Sequence, residues 1–76
     1  MKRGTSLGSI HENHPLLGSL VRDIASGTEG ELVAVVREEV PTHRGSCWSR
    51  RAYIRPVGGG TELPTALDNI EATGPL

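Results

Sequence analysis

Arg51-Ala52-Tyr53-Ile54-Arg55-Pro56-Val57-Gly58-Gly59-Gly60-Thr61-Glu62 is the stretch that decides the fold. Polar and apolar residues alternate from Arg51 to Arg55, the two-residue period of a strand with one buried face. Ala52 and Ile54 take the core side, and Arg51, Tyr53 and Arg55 share the opposite side. A hairpin turn, which needs positive φ, accounts for the three glycines that follow. A phosphate-cradling loop would need Gly-Lys-Ser/Thr opening a helix, whereas Thr61-Glu62-Leu63-Pro64 comes next.

Working upstream, Glu31–Val40 carries three valines in its central run. Their restricted χ1 suits a pleated sheet, and Gly30 in front and Pro41 behind favour a strand over a helix. Before it, Leu16–Ile24 reads as a strand that stops at the turn formers Ala25–Gly30. Asp23, Glu29 and Glu31 flank that turn and read as its solvated carboxylates. Pro41–Ser49 reads as a long polar connection, leading to a third strand over Arg50–Val57. Downstream, Thr61–Pro64 is expected to form a short fourth strand. Thr65-Ala66-Leu67-Asp68 has the spacing of a capping box, which predicts one helical turn over residues 65–70. Residues 1–15 are polar and without a period, and read as a flexible arm ending at Pro15. A single domain over 16–72 and a frayed tail over 73–76 complete the organisation.

Size limits what such a chain can do. Its 76 residues make one domain, burying only about 60% of the unfolded surface, with about 3–5 kcal/mol of net stability from the core. Short consecutive strands bury a face and remove exposed edges by bending into a closed sheet. The expected fold is therefore all-β, a small SH3-like barrel of four to five antiparallel strands with one short helical turn near the C-terminus. A deep substrate pocket would consume so small a core, which argues against an enzyme. The single cysteine, Cys47, cannot form an internal disulfide. Lys2 and Arg3 are followed by no apolar signal segment, and no run approaches the ~18–20 apolar residues of a membrane span. These features predict a soluble, cytoplasmic protein with no membrane partner.

The formal net charge is −1, yet residues 41–57 hold Arg44, Arg50, Arg51 and Arg55 with no acid, while residues 1–40 hold six acids and four bases. A near-neutral total thus contains a locally basic run. The candidate binding residues are Arg44, Trp48, Arg50, Arg51, Tyr53 and Arg55. Arginines around an aromatic ring suit phosphate contacts with base stacking, or an acidic peptide. In the alternative placement Trp48 packs over the open end of the barrel, where a buried ring removes ~150–250 Å² from water.

Catalytic and metal constellations are weak. His11, His14, His43 and Cys47 could in principle ligate zinc, but His11-Glu12-Asn13-His14 is one residue short of the His-Glu-x-x-His spacing that places both histidines on one helix face. Cys47 has His43 and Arg44 nearby but no third group to orient the histidine. No cofactor is expected.

The order Gly18-x-Leu20-Val21-x-Asp23, Gly27-x-x-Gly30-x-Leu32-Val33 and Tyr53-Ile54-Arg55-Pro56-Val57-Gly58-Gly59-Gly60-x-Glu62 resembles a group of small actinomycete proteins. That group has a Tyr/Leu-Arg-Pro-x-Gly-Gly-Gly-x-Glu-Trp signature, and Thr65–Glu71 looks like its usual ending. The resemblance spans roughly residues 17–72, with Leu63 where the group's pattern has Trp. It implies an actinomycete cytoplasm and brings no activity with it. The Gly-x-x-Gly turn between valine-rich strands is also similar to KOW and Tudor-like small barrels, a likeness of fold. The expectation is a non-enzymatic regulatory or accessory binding module. Protein partners or self-association are slightly favoured over single-stranded nucleic acid, since a charge near zero does not suit many phosphate contacts. A small thiol- or metal-dependent enzyme is the competing class.

Overall fold

The computed structural model describes residues 8–73. Six antiparallel strands run in chain order: β1 (Ser9–Glu12), β2 (Leu20–Asp23), β3 (Glu29–Thr42), β4 (Gly45–Pro56), β5 (Leu63–Ala66) and β6 (Ile70–Ala72). One 3-10 turn, Leu67–Asn69, separates the last two. The sheet order is β5-β4-β3-β2-β6, with β1 also paired to β3. β5 and β6 therefore sit at opposite ends of the sheet path while only the 3-10 turn separates them along the chain. Such a sheet must curl until its ends meet, and the all-β fold takes the form of a small barrel.

The core is small. Val21, Leu32, Val35, Ala52 and Ile54 are buried, with Leu16, Leu17, Leu63, Leu67 and Ile70 packed against them. Ala52 and Ile54 alternate with Arg51, Tyr53 and Arg55 as the strand period requires. On β3 the period breaks. Leu32 and Val35 both face the core although three positions apart, because a bulge between Leu32 and Ala34 inserts Val33. The extra residue resets the alternation and bends the strand. Gly30 fills another tight place, where an added Cβ would lie 2.1 Å from the Arg55 carbonyl oxygen.

Beyond the bulge the hairpin outruns the barrel. Val36–Thr42 of β3 and Gly45–Arg51 of β4 pair without interruption as far as Thr42 opposite Gly45, and β1 lies along the other side of β3 from Val35 to Glu38. This three-stranded ribbon gives the molecule a long axis of 46 Å against 23 and 22 Å. Its radius of gyration is 14.0 Å, above the about 11 Å of a compact chain of this length.

Several local expectations change. The connection expected over residues 41–49 is strand, with only His43 and Arg44 left as the turn. Continuous backbone pairing across the hairpin outweighs the polar composition of that stretch. Residues 9–12 of the expected flexible arm form β1, because β3 beyond the barrel offers an open edge; residues 1–7 lie outside the described residues. The first barrel strand is confined to Leu20–Asp23. The chain before it makes a turn, with Ser19 N–H donating to the Leu16 carbonyl at 2.9 Å. No capping box forms: the 3-10 turn has no side-chain cap, and Thr65 is engaged elsewhere. Thr73, assigned to the tail with 74–76, donates its N–H to the Leu20 carbonyl at 3.1 Å; residues 74–76 lie outside the described residues. Gly58, Gly59 and Gly60 all have positive φ, between 90° and 104°, as their turn demands.

Leu32 is fully buried, and truncating such a residue costs about 2–5 kcal/mol, comparable to the about 3–5 kcal/mol that a core this size supplies. Leu32→Ala is expected to be largely unfolded at 25 °C by far-ultraviolet circular dichroism. Ile10→Ala, at an exposed ribbon position, should keep the barrel folded. A cooperative, native-like melt for Leu32→Ala would contradict this placement of the core.

Candidate functional site

The strand register distributes the six candidate residues over three places. Opposed residues of an antiparallel pair share a face. Val35 opposite Ala52 belongs to the core face, so Arg37 opposite Arg50 and Glu39 opposite Trp48 continue that face outward along the ribbon. Arg51, Tyr53 and Arg55 occupy the opposite face, as the alternation predicts. Arg44 sits in the turn at the ribbon's tip. The structure therefore keeps Arg51, Tyr53 and Arg55 together and separates them from Trp48 and Arg50.

Each arginine of the stripe meets a carboxylate, Arg51 that of Glu38 across the hairpin and Arg55 that of Glu62 beyond the glycine turn. Glu38 holds Arg51, with Nε 3.1 Å from Oε1, and accepts the Tyr53 hydroxyl on Oε2 at 2.6 Å. That hydrogen bond and neighbouring negative charge push the Tyr53 phenol above its ordinary value. Arg55 lies 3.7 Å from Glu62. On the other face Glu12 lies between Arg50, at 3.1 Å, and Arg37, at 3.7 Å. Three arginines of the run without acids, Arg50, Arg51 and Arg55, are thus matched by acids of β1, β3 and the β5 approach. Partly exposed pairs of this kind add little stability, but they cancel much of the local positive field.

Trp48 is half exposed, with the Arg37 guanidinium 5.3 Å from its ring centroid. The ring lies on the ribbon and not over the end of the barrel. Beside it Glu39 accepts the Ser46 hydroxyl at 2.6 Å and the Gly8 N–H at 3.2 Å, which lower its carboxyl pKa. From Arg51 onward the outer side of β4 is covered by β5, beginning at Ala66. Between the turn and that point, no strand among the described residues pairs with it. Trp48 therefore sits at the centre of an open sheet edge.

The histidines and the cysteine are dispersed. His11 is on β1, His43 is in the turn, and His14 Nδ1 accepts the Leu16 N–H at 3.1 Å. Cys47 is exposed on β4. Among the described residues no group of three or more His, Cys, Asp or Glu side chains is placed to hold a metal ion. Nor is any helix among them long and apolar enough to cross a membrane.

One group departs from the sequence reading. Asp23 is buried, only 4% exposed, and is not a solvated turn carboxylate. Its Oδ1 accepts the Thr65 hydroxyl at 2.7 Å and the Asn69 amide, and its Oδ2 accepts the Ser26 N–H at 3.0 Å and the Ser26 hydroxyl. Asp followed three positions later by Ser in a turn is a local signal for the Ser26 contacts. Nothing local announces Thr65 and Asn69. No known protein family, curated protein or solved structure matches this chain.

Hydrogen bonds to its ionised form, first from Ser26 and then Thr65, hold the Asp23 carboxyl below its ordinary value. As pH falls, the unfolded chain's aspartate, near 3.9, therefore takes a proton before the native one does. The stabilisation is complete above the unfolded value and is lost as pH drops toward the depressed native value. Asp23→Asn should flatten the acid limb of a plot of urea midpoint against pH. At neutral pH it should lose about 2 kcal/mol or more, since buried donors lose a charged acceptor. An unchanged acid limb would remove Asp23 from this role.

Proposed function

We propose that this protein is a non-enzymatic, cytoplasmic binding module, an SH3-like barrel whose ribbon takes a protein partner by strand addition to β4. The observation that carries the reading is the half-exposed Trp48 at the centre of an unpaired edge. An edge strand offers a row of backbone donors and acceptors to an incoming extended chain, and flanking side chains supply selectivity. A ring that is already half held by neighbouring strands loses little freedom on contact, and Trp is over-represented among residues that dominate binding energy.

Charge favours a protein over nucleic acid. Arg50, Arg51 and Arg55 each have a carboxylate within 4 Å, so a phosphate would have to displace an existing partner. Binding a nucleic-acid strand relies on phosphate neutralisation and is steeply salt-dependent. Residues 44–55 thus present a mixed polar surface around one aromatic anchor.

Selection of a random peptide display library on the intact protein should enrich extended peptides. Titration with a selected peptide should shift the backbone amide signals of Ser46, Trp48 and Arg50 above all, with weak dependence on salt. Trp48→Ala should weaken binding tenfold or more, and Arg51→Ala and Arg55→Ala much less. Failure to enrich peptides, combined with salt-sensitive quenching of Trp48 by a single-stranded oligonucleotide, would overturn the reading and assign the surface to nucleic acid.

A further inference from the structure

The ribbon face that continues the core carries two arginines set directly against each other. Glu39 donates its N–H to the Gly8 carbonyl at 3.0 Å, toward β1. By strand alternation Arg37 also turns its backbone toward β1, so its pair with Arg50 on β4 exchanges no hydrogen bonds. Side chains stand closest in pairs of that kind, and like charges directly opposed are destabilising. Glu12 lies beside them, 3.1 Å from Arg50 and 3.7 Å from Arg37. One negative charge thus serves two positive ones. The other carboxylate of this face, Glu39, is held by the Gly8 N–H on Oε1 and the Ser46 hydroxyl on Oε2.

Arg37 is the less satisfied of the two arginines. Its Nε is buried and has no hydrogen-bond partner among the described residues. Its guanidinium lies over Trp48, whose ring reaches across β3 until Cη2 is 3.0 Å from where a Gly8 Cβ would stand. On the β1 side Ile10 lies opposite Arg37. Ile10 and Trp48 are both exposed, so two apolar side chains flank the arginine pair.

Resting on the reading of this surface as a peptide-docking site, we propose that the partner segment is acidic. One of its glutamates seats its carboxylate between Arg37 and Arg50, with its methylenes against the Trp48 ring.

Two constraints select this ligand. The first is charge. Arg37, Arg50 and Glu12 sum to one positive charge, which a single carboxylate cancels. A phosphate group, with about 1.5–2 negative charges, overshoots that balance and faces Glu12. The planar guanidinium fork also matches the two oxygens of a carboxylate.

The second constraint is reach. A partner residue opposite Trp48 shares the face of its ring. The place opposite Arg50 is already taken by the chain after Ala66. The acid therefore approaches Arg50 on the diagonal, across the about 7–8 Å that only long side chains span. Glutamate has that length, and aspartate falls short.

Panning a random peptide display library on the intact protein tests this. Glutamate is expected at one fixed position of the enriched peptides, ahead of aspartate. Replacing it by glutamine in a synthetic copy of an enriched peptide should weaken binding about tenfold, the loss of a charge-assisted contact. In the double variant Arg37→Gln, Arg50→Gln, with an unchanged far-ultraviolet spectrum, the glutamate peptide should lose its advantage. Glu12→Gln removes the competing carboxylate, and should tighten binding of the glutamate peptide while leaving the glutamine peptide unchanged. A merely structural role for Glu12 would weaken both peptides alike. Enriched peptides with no acidic preference overturn the inference and leave the strand-addition reading standing, as does a glutamate advantage that survives the double variant. Failure to enrich any peptide overturns both.

Discussion

A single buried carboxylate sits where the curled sheet closes. Asp23 ends β2, and its two oxygens gather the turn that leads into β3, through Ser26, and the end of β5 with the 3-10 turn, through Thr65 and Asn69. The backbone repeats the same connections. Asp23 N–H donates to Thr28, Gly27 N–H donates to Asp23, and Ile24 N–H donates to Asn69, all at 2.7–2.8 Å. β5 and β6 are the two ends of the sheet path, so this carboxylate lies at the place where a flat sheet would otherwise remain open. Burying a charge is unfavourable unless its lone pairs are occupied. Here side-chain and backbone donors occupy them, and a core of five buried apolar residues is sealed beside a polar network.

The bulge at Val33 is the second constraint, and it separates two uses of one hairpin. Below it Leu32 and Ile54 fill the barrel; above it Val35 and Ala52 finish the core, and the same face continues as Arg37, Arg50, Glu39 and Trp48. Without the inserted residue, the β3 run from Val35 outward would show its other face to the core and set different residues opposite those of β4. The exposed aromatic edge has a separate origin: β4 alternates without a break from Ile54 through Ala52 to Trp48, and β5 pairs with it only from Arg51 onward.

The charge pattern shows how far linear proximity can mislead. Arg44, Arg50, Arg51 and Arg55 form a basic run along the chain, but a hairpin sets each position beside a residue from the opposite strand. Glu38, opposite Ser49, lies two positions along from the Val36–Arg51 pair, and Glu12 of β1 reaches Arg37 and Arg50. The surface is a mosaic of ion pairs around Trp48.

Local chemistry alone determined the all-β character, the alternation of Arg51–Arg55, the glycine turn and the small size of the core. Each of these depends on neighbours within a few positions: a two-residue period, β-branched backbone preference, positive φ. Strand lengths were less legible, because Pro41–Ser49 has the composition of a loop and becomes strand only through pairing between Thr42 and Gly45 and onward. The tertiary structure alone decided the burial of Asp23, the bulge at Val33, the carboxylate partners of Arg50 and Arg51 and the exposure of Trp48. All four depend on which residues a hairpin register or a closing sheet brings together. Register is a property of two strands at once, and no single segment of the chain contains it.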